Sequence, residues 1–196
     1  MADNGLNTGS DGKTRCWWCG DDPLYTTYHD QEWGTHVTSD VRLFEKTCLE
    51  GFQAGLSWIT ILRKRENFRK AFLDFDFNKI AMFTQQDVER LLQDKGIVRH
   101  RGKIEATINN AQLMSKLINE EGSFYDYVTK FRSDSRTKLL SYDELMKISV
   151  TEESKALSKD LKARGFKFVG PTTMYAFMQA MGLVNDHLEG CDFANQ

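Results

Sequence analysis

The sequence predicts an all-α protein, and three observations carry that reading. Apolar residues recur at helical spacing in segment after segment, no segment alternates with period two, and the 196 residues include only 2 prolines. No internal repeat is visible. Residues 1–14, rich in Gly, Asn, Asp and Ser, are expected to form a disordered tail.

Asp22 before Pro23 fits an N-cap followed by the first helical position, and opens a helix running to about Trp33. Ser39-Asp40 caps a second helix, in which Val41, Phe44 and Cys48 follow i, i+3, i+7. Ser57 caps a third over 58–72, and Thr84-x-x-Asp87 is a capping-box-like start for 85–94. Arg101–Asn119 is expected to be the longest helix, with Ile104, Ile108, Ala111, Met114 and Ile118 on one stripe. Residues 123–131 form a short aromatic helix, and 132–150 read as loop with one helical turn. Two more helices, Ser154–Arg164 and Pro171–Met181, flank a short turn. Met174, Phe177, Met178 and Met181 make the second one's core stripe.

Residues 47–62 carry a single charge, Glu50, between Lys46 and Arg63. Burying an unpaired carboxylate costs several kcal/mol or raises its pKa. Glu50 therefore has an internal partner or lines a cavity, unless a helix break turns it to solvent. Gly51 and Gly55 flank it and permit close approach of backbone or ligand. Trp58 offers a flat ring on which an aromatic ligand can stack. Trp17, Trp18, Tyr25, Tyr28 and Trp33 add aromatic density; packing accounts for most of it, and a cavity walled by some of them suits a flat or cationic heterocycle.

A formal net charge of −2 gives no global sign of nucleic-acid or membrane binding, though a local basic face is compatible with it. No run of 18 apolar residues spans a membrane, and the N-terminus lacks a signal pattern, so a cytoplasmic location is expected. Cys16, Cys19, Cys48 and Cys191 are too few for a disulfide scaffold and read as thiols or metal ligands. His187-x3-Cys191 puts two ligands on one face if helical, and Cys16 and His29 are far enough apart for the chain to return. Two thiolates and two imidazoles make a closed, structural zinc site fastening the two ends of the chain. Cys19 competes through Cys16-x-x-Cys19, and buried free cysteines with surface histidines fit the same residues.

Gly165-Phe166-Lys167-Phe168-Val169-Gly170 lies between the last two helices, and Pro171 leaves free N–H groups at a helix start, as phosphate binding requires. Lys159, Lys162, Arg164 and Lys167 add positive charge. A helix–hairpin–helix of this kind holds DNA backbone without reading bases, and an ordinary αα-hairpin fits too. Arg99-His100-Arg101-Gly102-Lys103 is a second basic cluster.

Together these stretches resemble the DNA-3-methyladenine glycosylase I family. The likeness is carried by DPLYTTYHDQEWG (22–34), LEGFQAGLSWITILRKRENFR (49–69), GIVRHRGKI (96–104) and LSKDLKARGFKFVGPTTMYAFMQAMGLVNDH (157–187), followed by Cys191. The resemblance implies the helix–hairpin–helix glycosylase fold over residues 15–191, two helical lobes with a pocket between them, and a short tail at 192–196. It implies one structural zinc on Cys16, His29, His187 and Cys191. By the same resemblance Glu50 and Tyr28 hydrogen-bond a flipped base, Trp58 stacks on it and Trp18 walls the pocket. Gly55 and Leu56 fill the gap in the duplex, and Gly165, Lys167, Val169 and Gly170 hold its backbone. Phe52 stands where such sequences vary. The implied partner is double-stranded DNA carrying alkylated bases, met by a monomer.

In the wider superfamily a catalytic aspartate sits in Val-Asp-x-His; here the string is Val184-Asn185-Asp186-His187. That departure implies a hydrolase of narrow range without lyase activity, in which Glu50 serves recognition and contributes electrostatically to catalysis. A non-catalytic DNA-binding module and a small-molecule zinc hydrolase are the competing classes. Release of free base separates the first, and an open metal position the second.

Overall fold

The computed structural model describes residues 4–132 and 138–194. Among the described residues ten α-helices follow a short hairpin: β1 (Leu6–Thr8), β2 (Thr14–Cys16), α1 (Pro23–Gln31), α2 (Asp40–Gln53), α3 (Trp58–Ala71), α4 (Phe77–Ile80), α5 (Gln85–Gln93), α6 (Arg101–Glu121), α7 (Phe124–Thr129), α8 (Tyr142–Leu145), α9 (Glu152–Ala163) and α10 (Pro171–Ala180).

The local signals act where expected. The Asp22 carboxylate accepts from the Leu24 and Tyr25 amides, and Ser39 accepts from Arg42 N–H. Thr84 and Asp87 form a reciprocal capping box that leaves fewer orphan amides at the start of α5. Ser57 precedes α3 but bonds Thr60 Oγ1 rather than a backbone amide. The start of α9 lies earlier than expected, because Thr151 and Ser154 cap each other's backbone.

One large core gathers the inner stripes of α2, α3, α6, α7, α9 and α10. Phe52, Phe68 and Phe72 form an aromatic stack where α2 meets α3. α10 packs on both α9 and α2, which sets the hairpin beside the C-terminal end of α2.

The N-terminal tail differs from the expectation. Of residues 1–14, the first three lie outside the described residues; Leu6–Thr8 pair antiparallel with Thr14–Cys16, Leu6 opposite Cys16, and the residues between make the turn. Polar composition argued for disorder, but Arg15 binds Asp11 and Asp30 together and pins the strand. The C-terminal tail folds back as well. Thr14 N–H donates to Asp192 Oδ2 at 2.7 Å, and Phe193 and Ala194 are buried in a second, smaller cluster with Cys16, Leu188 and Cys191.

Residues 187–191 form a turn, not the helical face that the spacing suggested. Leu188 bridges Leu140 in parallel, and Glu189 N–H donates to the Leu140 carbonyl. That cross-chain pairing takes the backbone groups a helix would have used.

Candidate functional site

A cavity of about 370 Å³ opens between α1, α2, α3 and α10. Trp18, Tyr25, Tyr28, Trp33 and Trp58 supply its aromatic walls, and Glu50 and Lys46 its charges. Leu145, Met146, Ile148 and Ser149, from the weakly patterned segment, supply another wall. Tyr28 and Trp58 are buried with ring centroids 5.4 Å apart.

Glu50 answers both sides of the sequence argument. It is 5 % exposed and lines the cavity, and its Oε1 is paired with Lys46 Nζ at 2.7 Å. Lys46 also donates to Tyr28 Oη at 2.8 Å, and its ammonium stands 3.2 Å from the Trp58 ring centroid. Burial pushes the Lys46 ammonium below its usual pKa, and Glu50 opposes that shift. Burial, reinforced by Glu50, raises the Tyr28 phenol well above its usual value, so its hydroxyl keeps its proton. Because that oxygen already accepts from Lys46, its own proton remains for a further partner.

The two glycines beside Glu50 serve different purposes. A Cβ on Gly51 would come within 3.2 Å of Phe168 Cβ, so Gly51 lets the hairpin pack against α2. Gly55 has φ +83°, which makes the tight turn from α2 to α3 and leaves Leu56 outward at 43 % exposure. Lys103 Nζ donates to the Phe52 and Ala54 carbonyls at 2.9 and 2.6 Å, capping α2 just before that turn.

The 165–170 hairpin is clamped from α6. Asn110 accepts from Lys167 N–H at 2.8 Å and donates to the Lys167 carbonyl at 3.0 Å, while Asn109 donates to Gly165 O. Ser158 donates to the Val169 carbonyl at 2.6 Å. Val169 is fully buried, whereas Lys159, Lys162 and Lys167 are exposed. Arg164 is committed to Asp160, Glu120 and Glu121. In the second basic cluster Arg101 is paired with Glu89 and Lys103 is buried, leaving Arg99 exposed.

At the junction of the two chain ends, the ligand atoms of Cys16, His29, His187 and Cys191 all lie within 4.8 Å of one another and are buried. Cys191 Sγ is 3.5 Å from His187 Nδ1 and 3.7 Å from His29 Nε2, and Cys16 Sγ is 3.9 Å from His187 Nδ1. Tetrahedral zinc with bonds of ~2.3 Å to sulfur and ~2.0 Å to nitrogen demands sulfur–nitrogen edges of about 3.5 Å. The outer nitrogens are oriented to suit. His29 Nδ1 meets Asp30 Oδ1 at 2.9 Å, and His187 Nε2 meets the Trp33 carbonyl at 3.2 Å. Each contact leaves the inner nitrogen its lone pair. Contact with Cys16 and the two imidazoles holds the Cys191 thiol low, while the Cys16 thiol is pushed up beside it. Cys19 stands apart, its thiol donating to the Cys16 carbonyl.

Sequence reasoning passed over three contributors. Lys46 had a signal, standing four residues before Glu50 on one helical face. Asn110 had none, since a lone Asn in a long helix does not announce a clamp. Asp30 had only its place beside His29.

The chain is thus a mostly helical domain that sets a hairpin beside an acidic, aromatic-walled pocket, with the fold of solved 3-methyladenine DNA glycosylase I structures. The methyladenine glycosylase family model matches residues 18–195. DNA-3-methyladenine glycosylase 1 of Escherichia coli K12 is 53 % identical over 179 residues, 90 % of this chain and 95 % of that one. DNA-3-methyladenine glycosylase of Haemophilus influenzae is 48 % identical over 179 residues, covering 91 % and 96 %. The structure of 3-methyladenine DNA glycosylase I from Staphylococcus aureus, solved for 3-methyladenine recognition, superposes with TM-score 0.83 at 39 % identity over 89 % of this chain and 93 % of that one. The chain belongs to the methyladenine glycosylase family.

Proposed function

We propose that this chain removes N3-methyladenine from alkylated double-stranded DNA by hydrolysing its N-glycosidic bond, leaving an abasic site. The observation that carries this reading is the buried Glu50 on a base-sized cavity walled by Tyr28, Trp18 and Trp58. A base stacked in a duplex is beyond reach, so it must be turned out into such a pocket. Trp58 offers the stacking face, and Tyr28 and Glu50 the polar edge. Leu56, outward on the turn fixed by Gly55, fills the place the base has left. The Val169 and Gly170 amides and the exposed Lys167 ammonium hold phosphate at the start of α10, while Gly165 and the Lys167 backbone, bonded to Lys162 and Asn110, shape the hairpin that presents them.

N3-methyladenine in DNA carries positive charge, and leaving neutralises it, so strong acid assistance is unnecessary. Glu50 recognises that charge. Recognition alone stabilises the ground state and slows cleavage. Its catalytic share lies in stabilising the sugar cation as the bond opens. Asn185 takes no part: it donates to the Ala194 carbonyl and accepts from His187 N–H, a turn-holding role. Water rather than an amine is the nucleophile, since the lysine of the pocket, Lys46, is engaged by Glu50 and Tyr28, so the reaction stops at hydrolysis.

Cys16, His29, His187 and Cys191 would hold zinc, and the Cys2His2 donor set with its outer hydrogen bonds fits that ion. When bound it supplies cross-linking rather than chemistry, because its shell is complete. The protein acts as a cytoplasmic monomer.

The deciding assay is incubation with a methylated duplex and identification of the released bases. We expect free 3-methyladenine and an abasic strand without a nick. Binding without release, or strand cleavage, refutes the reading. Metal analysis returning no zinc refutes the metal assignment, and sedimentation as a dimer refutes the monomer.

A further inference from the structure

Three groups placed to receive a base already share a cation of the chain's own. The Lys46 ammonium is paired with Glu50 at 2.7 Å, donates to Tyr28 at 2.8 Å and lies 3.2 Å from the Trp58 centroid. Its side chain is 7 % exposed. A planar base stacked on the same ring face requires that slot. A second positive charge at contact distance is repelled by the first.

The neighbouring space gives this side chain somewhere to go. A second cavity, of about 140 Å³, is also lined by Tyr28, Lys46 and Trp58, and by Glu32 and Glu45. Lys46 therefore stands at the partition between two hollows. Its flexible four-carbon stem borders both. The charged groups lining the second hollow besides Lys46 are Glu32, Glu45, Arg42 and Arg65, two of each sign; Glu32 is paired with Arg65 and Arg42, and Glu45 with Arg42 and with Arg69 behind it.

We propose that Lys46 is a specificity-determining residue: a tethered cation that holds the place of the charged base and must be displaced before the base stacks on Trp58. This rests on the pocket assignment made above. It follows that Glu50 meets the alkylated base with its charge already balanced. The resting site then holds the cationic ground state less tightly than a free carboxylate would. Weaker ground-state binding leaves more of the interaction for the transition state.

The test uses the full chain and two probes, free 3-methyladenine, which is uncharged, and 3,9-dimethyladeninium, a fixed cation. Lys46→Met removes the ammonium. Lys46→Gln keeps a polar neighbour for Glu50 and guards against a folding defect in the first variant. We expect either folded variant to bind the fixed cation at least about tenfold more tightly, the uncharged base by clearly less, and the single-turnover excision rate at saturation not to rise. Unchanged or weaker binding of the cation by both folded variants overturns the proposal, because it makes Lys46 a support or a direct partner of the base. Equal tightening of both probes overturns it too, since mere bulk would then be the obstacle. If neither probe binds any form while methylated DNA is still cleaved, the pocket assignment itself fails, and this inference with it.

Discussion

The Nδ1 atom of His29 lies 2.9 Å from Oδ1 of Asp30, the next residue in the chain, and Asp30 is gripped in turn by Arg15 at 2.9 and 2.7 Å. The contact orients the imidazole so that Nε2 faces Cys191. It also ties the N-terminal hairpin to the Cys2His2 cluster, because Arg15 reaches Asp11 as well. Removing such an outer partner typically weakens metal binding 10–100-fold. We expect Asp30→Ala to lower zinc affinity by roughly that factor, read by competition with a chelating dye. Unchanged affinity would show that Asp30 serves the hairpin alone.

Zinc removal should act on stability before it acts on chemistry. The cluster joins Cys16 and His29 to His187 and Cys191, closing most of the chain into one loop. We expect chelation to lower the melting temperature, and excision measured well below the new midpoint to persist. A direct, immediate loss of activity with an unchanged melting curve would move the ion into the chemistry.

Glu50→Gln keeps the shape of the side chain and its contact with Lys46 but removes the charge. We expect the melting temperature to drop modestly and the affinity for free 3-methyladenine to fall by about tenfold, the scale of a charge-assisted hydrogen bond. Calorimetric titration decides it; full affinity in the variant would take Glu50 out of base recognition.

Tyr28 should stay neutral throughout the working range. Burial and the nearby Glu50 hold its phenol well above the usual value of about 10, so the folded form keeps a proton that the unfolded form releases. Its contribution to stability is therefore complete below pH ~10 and is lost as the pH rises past that point. In binding, Tyr28→Phe should cost about three- to tenfold in affinity, with a ratio to wild type that is flat from pH ~6 to ~10. A ratio that titrates near neutrality would show a phenolate in the pocket.

Local chemistry made much of this molecule readable in advance. Asp22, Ser39 and the Thr84–Asp87 box start helices by bonding amides two or three residues away, so their signal is complete within a few residues. Glu50 was legible because a lone carboxylate in an apolar run demands an explanation. The turn at 187–191 was not, since it depends on Leu140, nearly fifty residues distant, and spacing alone cannot distinguish it from a helical pair. The order in residues 4–14 was hidden for the same reason: Arg15 holds that hairpin by reaching Asp30 on the first helix, a contact that composition does not record. The pocket wall from Leu145 to Ser149 has weak periodicity because Leu145 packs into the smaller core while Met146, Ile148 and Ser149 line the cavity.

Lys103 offers a way to separate the proposed duplex-filling role of the α2–α3 turn from the proposed recognition of the base. It is 7 % exposed, and its ammonium is spent on two carbonyls at the end of α2, immediately before Gly55 and Leu56. Burial lowers its pKa, and among the described residues no carboxylate is paired with it; the carbonyls of the helix terminus are its partners. Lys103→Met removes both bonds and leaves the Phe52 and Ala54 carbonyls without that donor, at a cost of about 1–3 kcal/mol. The α2–α3 turn then loses its brace while the Glu50 pocket, a full helical turn earlier, keeps its walls. We expect excision from duplex DNA to fall by about tenfold or more, and the affinity for free 3-methyladenine to stay within about twofold of wild type. Single-stranded methylated DNA, which needs no gap filled, should be processed at nearly the original rate. Equal losses on both substrates would mean that Lys103 acts through the stability of the whole domain rather than through the turn.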